Sequence, residues 1–267
     1  MRALERLRTF RIPDGVDVVA LDDGAGVRLF RPAGMSTPSP ALLWIHGGGY
    51  VFGRAAQDDG LCRRFCNALR ITVASVEYRL APENPYPASL DDCYTALAWL
   101  AARPEVDASR VVIGGASAGG GLAAALALMA RDRGELTPVL QLLTYPMLDD
   151  RSSSRTDLDP RRFRMWNQRG NAFGWASYLA EADPSAAVPA RREDLSGLPP
   201  AWIGVGTHDL FFEEDLAYAE RLKAAGVPCD VEVVRGAFHG FDRIVPRAGV
   251  SKAFFSSQCA AIRSALV

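Results

Sequence analysis

The sequence predicts an α/β fold, an eight-stranded and mostly parallel sheet with helices on both faces. Three observations lead there. Short apolar runs alternate with longer Ala- and Leu-rich segments along the chain. Asp22-Asp23-Gly24 separates the first two short runs and reads as the turn of an opening hairpin. Gly134 and Gly226 follow two of the long segments, where a helix-ending glycine belongs. A hairpin followed by strand–helix alternation is the pattern of a sheet buried on both sides, because each crossover lays a helix on one face.

In chain order the predicted strands are 16–21 (VDVVAL), 26–31 (GVRLFR), 41–46 (ALLWIH) and 71–77 (ITVASVE). Four more follow at 110–115 (RVVIGG), 138–144 (PVLQLLT), 200–206 (PAWIGVG) and 229–234 (CDVEVV). Each is a short β-rich apolar run of strand length. Predicted helices lie near 57–69, 88–102, 117–132, 171–180, 213–225 and 249–265. Two stretches break the alternation. Residues 32–40 (PAGMSTPSP) read as a Pro/Ser-rich surface loop. Residues 149–170 are polar and Arg-rich, with Met165 and Trp166 embedded. A connection that long in a compact domain is usually functional or mobile. Its arginines read as a solvated surface, with recognition of an acidic substrate group as the alternative.

A chain of 267 residues suits one large domain or two small ones, and it can bury a core without disulfides or metal. Its 49% hydrophobic and 23% charged residues are ordinary for a soluble globular protein. A net charge of −1 steers it toward neither nucleic acid nor anionic membrane. Cys62, Cys66, Cys93, Cys229 and Cys259 are odd in number, widely spaced and without a CxxC pair, which reads as free buried thiols. The opening MRALERLRTFRIPDG lacks the apolar stretch of a signal peptide, and no run approaches the length of a membrane-spanning helix. A cytoplasmic protein with no membrane insertion, no cofactor and no bound metal is the expectation.

Two glycine-framed motifs carry the chemistry. Gly115-Ala116-Ser117-Ala118-Gly119 follows the strand RVVIGG and opens the helix SAGGGLAAALALMA. That strand–turn–helix context is what the G-x-S-x-G nucleophile elbow needs, and the residues around the serine are small enough for its tight turn. The helix N-terminus behind it favours developing negative charge. His46-Gly47-Gly48-Gly49 follows the strand ALLWI and matches the HGGG-type loop that donates N–H groups to an oxyanion. No G-x-x-x-x-G-K-[ST] pattern is present, which disfavours a Walker-type phosphate loop.

A serine nucleophile needs a base, and the chain has three histidines. His46 adjoins the glycine loop and reads as a structural, loop-shaping residue. His208 reads as an exposed loop residue. His239 sits in GAFHGF just after the last strand. Ser117, Asp209 and His239 satisfy the chain order Ser…Asp…His. Asp209 follows the strand AWIGVG, at the strand end where such sheets collect functional groups. Glu213, Glu214 and Asp215 read as the acidic first turn of the next helix.

The segments HGGGYVFG, VEYRLAPENPYPASLDD, GGASAGGGLA, LSGLPPAWIGVGTHDLFFEEDLAYAERLKAAGVP and GAFHGF resemble those of the hormone-sensitive-lipase-like branch of the α/β-hydrolase carboxylesterases. They run from about residue 42 to 242. The resemblance implies an α/β-hydrolase fold with nucleophile Ser117, acid Asp209 and base His239. It also implies oxyanion N–H groups from Gly48, Gly49 and Ala118, with Gly47 shaping the loop. Two departures stand out. Ala116 replaces the Asp that usually precedes the nucleophile. Only about a dozen residues precede the strand at 16–21, where relatives carry a longer helical cap.

The expectation is therefore a single catalytic domain over 1–267, with small cap elements near 1–15 and 149–180. The expected reaction is hydrolysis of short-chain or small aromatic carboxylic esters through an acyl-enzyme. An amidase, formamidase or lactonase on the same triad is the alternative, and a non-catalytic small-molecule receptor the more distant one. Tyr50, Phe52, Trp166, Phe173, Trp175 and Phe211 are candidate pocket walls. A small-molecule ester is the expected partner, and a homodimer through 229–265 is a family-based expectation.

Overall fold

The computed structural model describes residues 14–21, 24–34, 36–155 and 163–267. Asp22 and Asp23 of the predicted hairpin turn, and most of the predicted 1–15 cap element, lie outside the described residues. The strands are β1 (Val16–Ala20), β2 (Gly26–Phe30), β3 (Ser39–Ile45), β4 (Thr72–Glu77), β5 (Val106–Ala116), β6 (Leu140–Thr144), β7 (Ala201–His208) and β8 (Cys229–Phe238). They form one eight-stranded sheet in the order β1-β2-β4-β3-β5-β6-β7-β8. The β1–β2 and β2–β4 pairs are antiparallel, and every pair from β3–β4 to β7–β8 is parallel. All eight predicted strands are present. The differences lie at their ends: β5 starts at Val106 rather than 110, and β3 takes Ser39 and Pro40 out of the predicted surface loop.

The period of two along a strand explains how one sheet serves two cores. In β3, Leu43 and Ile45 enter one apolar cluster while Leu42 and Trp44 enter the other. Helices α1 (Asp59–Leu69), α2 (Ala88–Ala101) and α3 (Ala118–Arg133) follow β3, β4 and β5. Leu90, Cys93 and Leu97 of α2 and most of α3 fill the first cluster, with Tyr218 and Leu222 from a later helix. Cys62, Phe65 and Cys66 of α1 fill the second, with Phe254, Cys259 and Ile262 from the last helix. Twelve residues of α3, from Ala118 to Ala130, are buried, because the helix is sandwiched rather than laid on the surface. Its glycines and alanines allow that close approach. Gly134 ends it in the left-handed conformation that glycine adopts freely, with φ 69°.

The remaining helices among the described residues are α4 (Gln168–Leu179), α5 (Pro184–Ala187), α6 (Phe212–Ala224), α7 (Phe241–Ile244) and α8 (Gly249–Ala265). The described part of the polar 149–170 stretch holds a 3₁₀ turn at Asp150–Ser154 and the approach to α4. No helix among the described residues is long and apolar enough to cross a membrane. All five cysteines are free thiols, four of them buried.

Leu43 lies in the middle of the sheet with no exposed surface. Leu43→Ala should cost about 2–5 kcal/mol, read as a lower urea midpoint with an unchanged slope. A loss below about 0.5 kcal/mol would mean that the core collapses around the cavity.

Candidate active site

Parallel register brings the predicted site residues together. Ile45 of β3 pairs with Gly115 of β5, so His46-Gly47 and Ala116-Ser117 leave the sheet side by side. His208 of β7 pairs with Phe238 of β8, so Asp209 and His239 leave it side by side as well. All four turns open at the carboxyl end of the parallel strands, the end where open α/β sheets bind ligands.

Ser117 occupies a sharp turn with φ 58° and ψ −123°. A non-glycine residue held there costs on the order of 1–3 kcal/mol and persists only when its surroundings over-determine it. Three backbone hydrogen bonds do so. Ser117 N–H donates to Thr144 O at 2.9 Å, and Ser117 O accepts from Gly121 N–H and Met147 N–H, each at 3.0 Å. Small residues do the rest. A Cβ on Gly119 would overlap the Ile45 carbonyl, and one on Gly121 would overlap the Met147 carbonyl.

The three predicted triad residues are in hydrogen-bond contact. His239 Nε2 lies 3.0 Å from Ser117 Oγ, and His239 Nδ1 lies 2.8 Å from Asp209 Oδ2. Because Nδ1 faces a carboxylate, it carries the ring proton and leaves Nε2 to accept from the serine. All three residues are buried. The other Asp209 oxygen accepts from Phe211 N–H at 3.0 Å. The imidazole is clamped edge-on by Tyr145 and Phe211, at ring distances of 4.8 and 5.2 Å.

The glycine loop is held from below. His46 is fully buried, stacks on Tyr78 at 4.2 Å and donates from Nδ1 to Gly47 O at 2.8 Å. Burial holds its imidazole below the usual histidine range, so it stays neutral. Gln57 Nε2 donates to the same carbonyl at 3.0 Å. In a trans peptide the N–H points opposite to the C=O. Fixing the Gly47 carbonyl therefore turns the Gly48 N–H away from His46 and Gln57. Gly48 has φ 137°, a backbone that side chains rarely adopt, and a Cβ there would overlap the Phe52 carbonyl. Ala118 is the first residue of α3, so its N–H is one of the unpaired donors of a helix N-terminus.

A cavity of about 280 Å³ opens over Ser117 and His239. Gly47, Gly48 and Gly49 wall one side, and Gly240, Arg243 and Ile244 line it too. Of the six predicted aromatic walls, Phe52 and Trp166 line this cavity. Phe173 lines a neighbouring one, and Phe211 lies behind the site, with its ring on His239 and its N–H bonded to Asp209. Tyr50 and Trp175 are corrections: both are buried in the core, where Tyr50 stacks on Tyr178 at 4.1 Å. Sequence reasoning missed Gln57, Tyr145, Met165, Arg243 and Ile244, which also line the cavity. Only Met165 was flagged, and only as part of a polar stretch. Among the described residues, no arginine of 149–170 lines the cavity, and Arg151 pairs with Asp149 at 2.7 Å. The arginine on the cavity wall is Arg243, bound to the buried Asp58 at 3.0 Å. His208 is exposed, as expected, but it is the last residue of β7, paired with Phe238, rather than a loop residue.

Glu214 and Asp215 do lie in the first turn of α6, but they are buried rather than solvated. Glu214 Oε1 accepts from Leu148 N–H at 2.8 Å and Asp149 N–H at 3.1 Å. Burial pushes its carboxyl up to about 8 from an ordinary 4.5. Burial also holds Asp215 well above the carboxylate range, reinforced by Glu214 and Asp209. Between pH 4.5 and about 8 the folded chain keeps a proton on Glu214 that the unfolded chain has released. The contribution of Glu214 to stability therefore falls as pH rises through that window and levels off above it, by up to about 1.4 kcal/mol per pH unit for one group. Glu214→Gln keeps the acceptor and removes this contribution, so its urea midpoint should fall less steeply than wild type from pH 5 to 8. Equal slopes would mean that Glu214 is ionised in the folded protein.

Residues 42–243 match a family model described as the alpha/beta hydrolase fold. The chain is 37% identical over 252 residues to the carboxylic ester hydrolase LipN of Mycobacterium tuberculosis, covering 90% of this chain and 66% of that protein. It is 36% identical over 243 residues to the esterase LipI of the same organism, covering 84% of this chain and 73% of that protein. The solved structure titled "Bacterial Heroin Esterase" superimposes with a TM-score of 0.88 at 37% identity, covering 100% of this chain and 88% of that one. With a family match across most of its length and the sheet order described above, the chain belongs to the α/β-hydrolase superfamily, as a hydrolase of its hormone-sensitive-lipase-like carboxylesterase branch.

Proposed function

We propose that this chain is a serine carboxylesterase for short-chain or small aromatic esters, working through Ser117, His239 and Asp209. The observation that carries the reading is the unbroken hydrogen-bond chain from Ser117 Oγ through the imidazole to Asp209, opening on a cavity walled by the glycine loop. Ser117 Oγ attacks the ester carbonyl carbon while His239 Nε2 takes its proton. Asp209 holds the Nδ1–H tautomer and stabilises the imidazolium. The carbonyl oxygen becomes an oxyanion, accepting from the N–H groups of Gly48, Gly49 and Ala118. Losing one such donor typically costs about 10²–10³ in turnover. His239 then protonates the leaving alcohol, and the bond from the carbonyl carbon to that oxygen breaks. Water, deprotonated by the same imidazole, cleaves the acyl-enzyme and regenerates Ser117.

The size of the cavity supports small substrates. Its approximately 280 Å³ lies just below the range of about 300–1,000 Å³ typical of ligand pockets. The glycine loop, Phe52 and Trp166 bound it tightly on one side.

Ser117→Ala should lower ester hydrolysis by about 10⁶-fold, as in a comparable triad. Retention above about one per cent would assign the nucleophile elsewhere. Rates across p-nitrophenyl esters from acetate to palmitate should peak at the short end. A faster rate on a matched anilide than on p-nitrophenyl acetate would replace the esterase reading with an amidase one.

A further inference from the structure

A second cavity lies beside the first. It measures about 510 Å³, and among the described residues its walls are Val51, Phe52, Pro82, Trp166, Gly170 and Phe173, with Glu83 as the one charged residue. Phe52 and Trp166 line both cavities, their rings 6.2 Å apart and inclined by 48°. The indole lies directly on the glycine loop, where a Cβ on Gly49 would overlap it. The partition between the spaces is therefore two aromatic side chains rather than backbone.

The indole is anchored. Its Nε1–H donates to Asn171 Oδ1 at 3.3 Å, and the fully buried Asn171 donates from Nδ2 to Ser152 Oγ at 2.9 Å. Ser152 donates in turn to Asp149 O at 2.7 Å, on the turn whose N–H groups bond to Glu214. A buried polar chain of this kind holds a ring in one position.

Reaction geometry selects what approaches the partition. The leaving oxygen must reach His239 Nε2, so the alcohol part lies on the side of His239, Gly240 and Ile244. The oxyanion faces the glycine loop. The remaining substituent of the carbonyl carbon is the acyl chain, which is left with the side of Phe52 and Trp166. We infer that Trp166 sets acyl-chain length, closing the active-site cavity against an apolar extension that would otherwise take the aliphatic tail of a longer acyl group. This rests on the esterase reading above.

Trp166→Ala should join the two cavities and raise the ratio of kcat/KM on p-nitrophenyl octanoate to that on the butyrate by about tenfold or more. Phe52→Ala opens the same partition from its other half and should move the ratio the same way. Gly170 offers a filling site, because a Cβ there meets Trp166 only at an ordinary 3.6 Å. Adding Gly170→Leu to Trp166→Ala should refill the extension and cancel the gain. Varying the alcohol in a series of alkyl acetates should leave the ratios between Trp166→Ala and wild type unchanged along the series. Calorimetric binding of octanoate, the product acid, gives a readout that needs no turnover: about tenfold tighter in Trp166→Ala and lost again in the double variant. An unchanged octanoate-to-butyrate ratio in both opened variants, a gain that survives Gly170→Leu, or a shift that follows the alcohol would overturn the inference. Inactivity of the wild type on every ester would sink the esterase reading instead, leaving the octanoate titration to decide the partition.

Discussion

Parallel pairing of β3 with β5, with Ile45 opposite Gly115, sets two glycine-rich turns against each other at the carboxyl end of the sheet. Much of the site follows from how close they come. A Cβ on Gly47 would lie 2.8 Å from the Ala116 carbonyl oxygen, and one on Gly119 would overlap the Ile45 carbonyl. The glycines are needed here for proximity as much as for conformation. Their absent side chains let the loop that turns the Gly48 N–H and the turn that raises Ser117 occupy one small volume. The strained Ser117 backbone is held by hydrogen bonds to β6 and to the segment after it, so the sheet itself offsets the strain.

A second constraint runs through buried polar groups rather than backbone. Glu214 on α6 grips the turn at Leu148–Asp149, Ser152 extends from that turn to Asn171, and Asn171 holds the Trp166 indole over Gly49. A carboxyl three residues past the end of the Asp209 loop thus fixes an aromatic wall of the cavity. Its removal from water keeps it protonated well into the neutral range, which ties this support to pH. Arg243, which also lines the cavity, is held in a similar way. Its guanidinium is neutralised by Asp58, which also accepts from Trp44 Nε1 at 2.9 Å, so a charge at the cavity edge is anchored in the core.

Much of the architecture was legible because it depends on local pattern. Apolar runs such as ALLWI and LQLLT are buried on both faces and have few alternatives to a central strand. Strand ends were less legible. Val106 joins β5 only because Ser39 of β3 pairs with it across a register shift, a partner that no local window contains. The three residues of the proposed triad could be singled out because their chemistries are confined to few positions: one serine in a glycine-framed motif, three histidines, and an acid after the seventh strand, and the fold brings them into hydrogen-bond contact.

The walls were not readable in the same way. Tyr50 and Phe52 are two residues apart on one loop, yet one stacks in the core and the other lines the cavity. Glu214 and Asp215 have the composition of a solvated first turn and are buried. Hydrophobic periodicity and turn chemistry are properties of neighbouring residues, so the sequence alone determined the strands, the helices, the tight strand-to-helix turn at Ser117 and the chain order of Ser117, Asp209 and His239. Which aromatic faces the cavity, which carboxyl loses its water and which arginine reaches the site depend on contacts between segments far apart in the chain. Those were decided only when the sheet register and the packing of α4 and α6 brought the segments together.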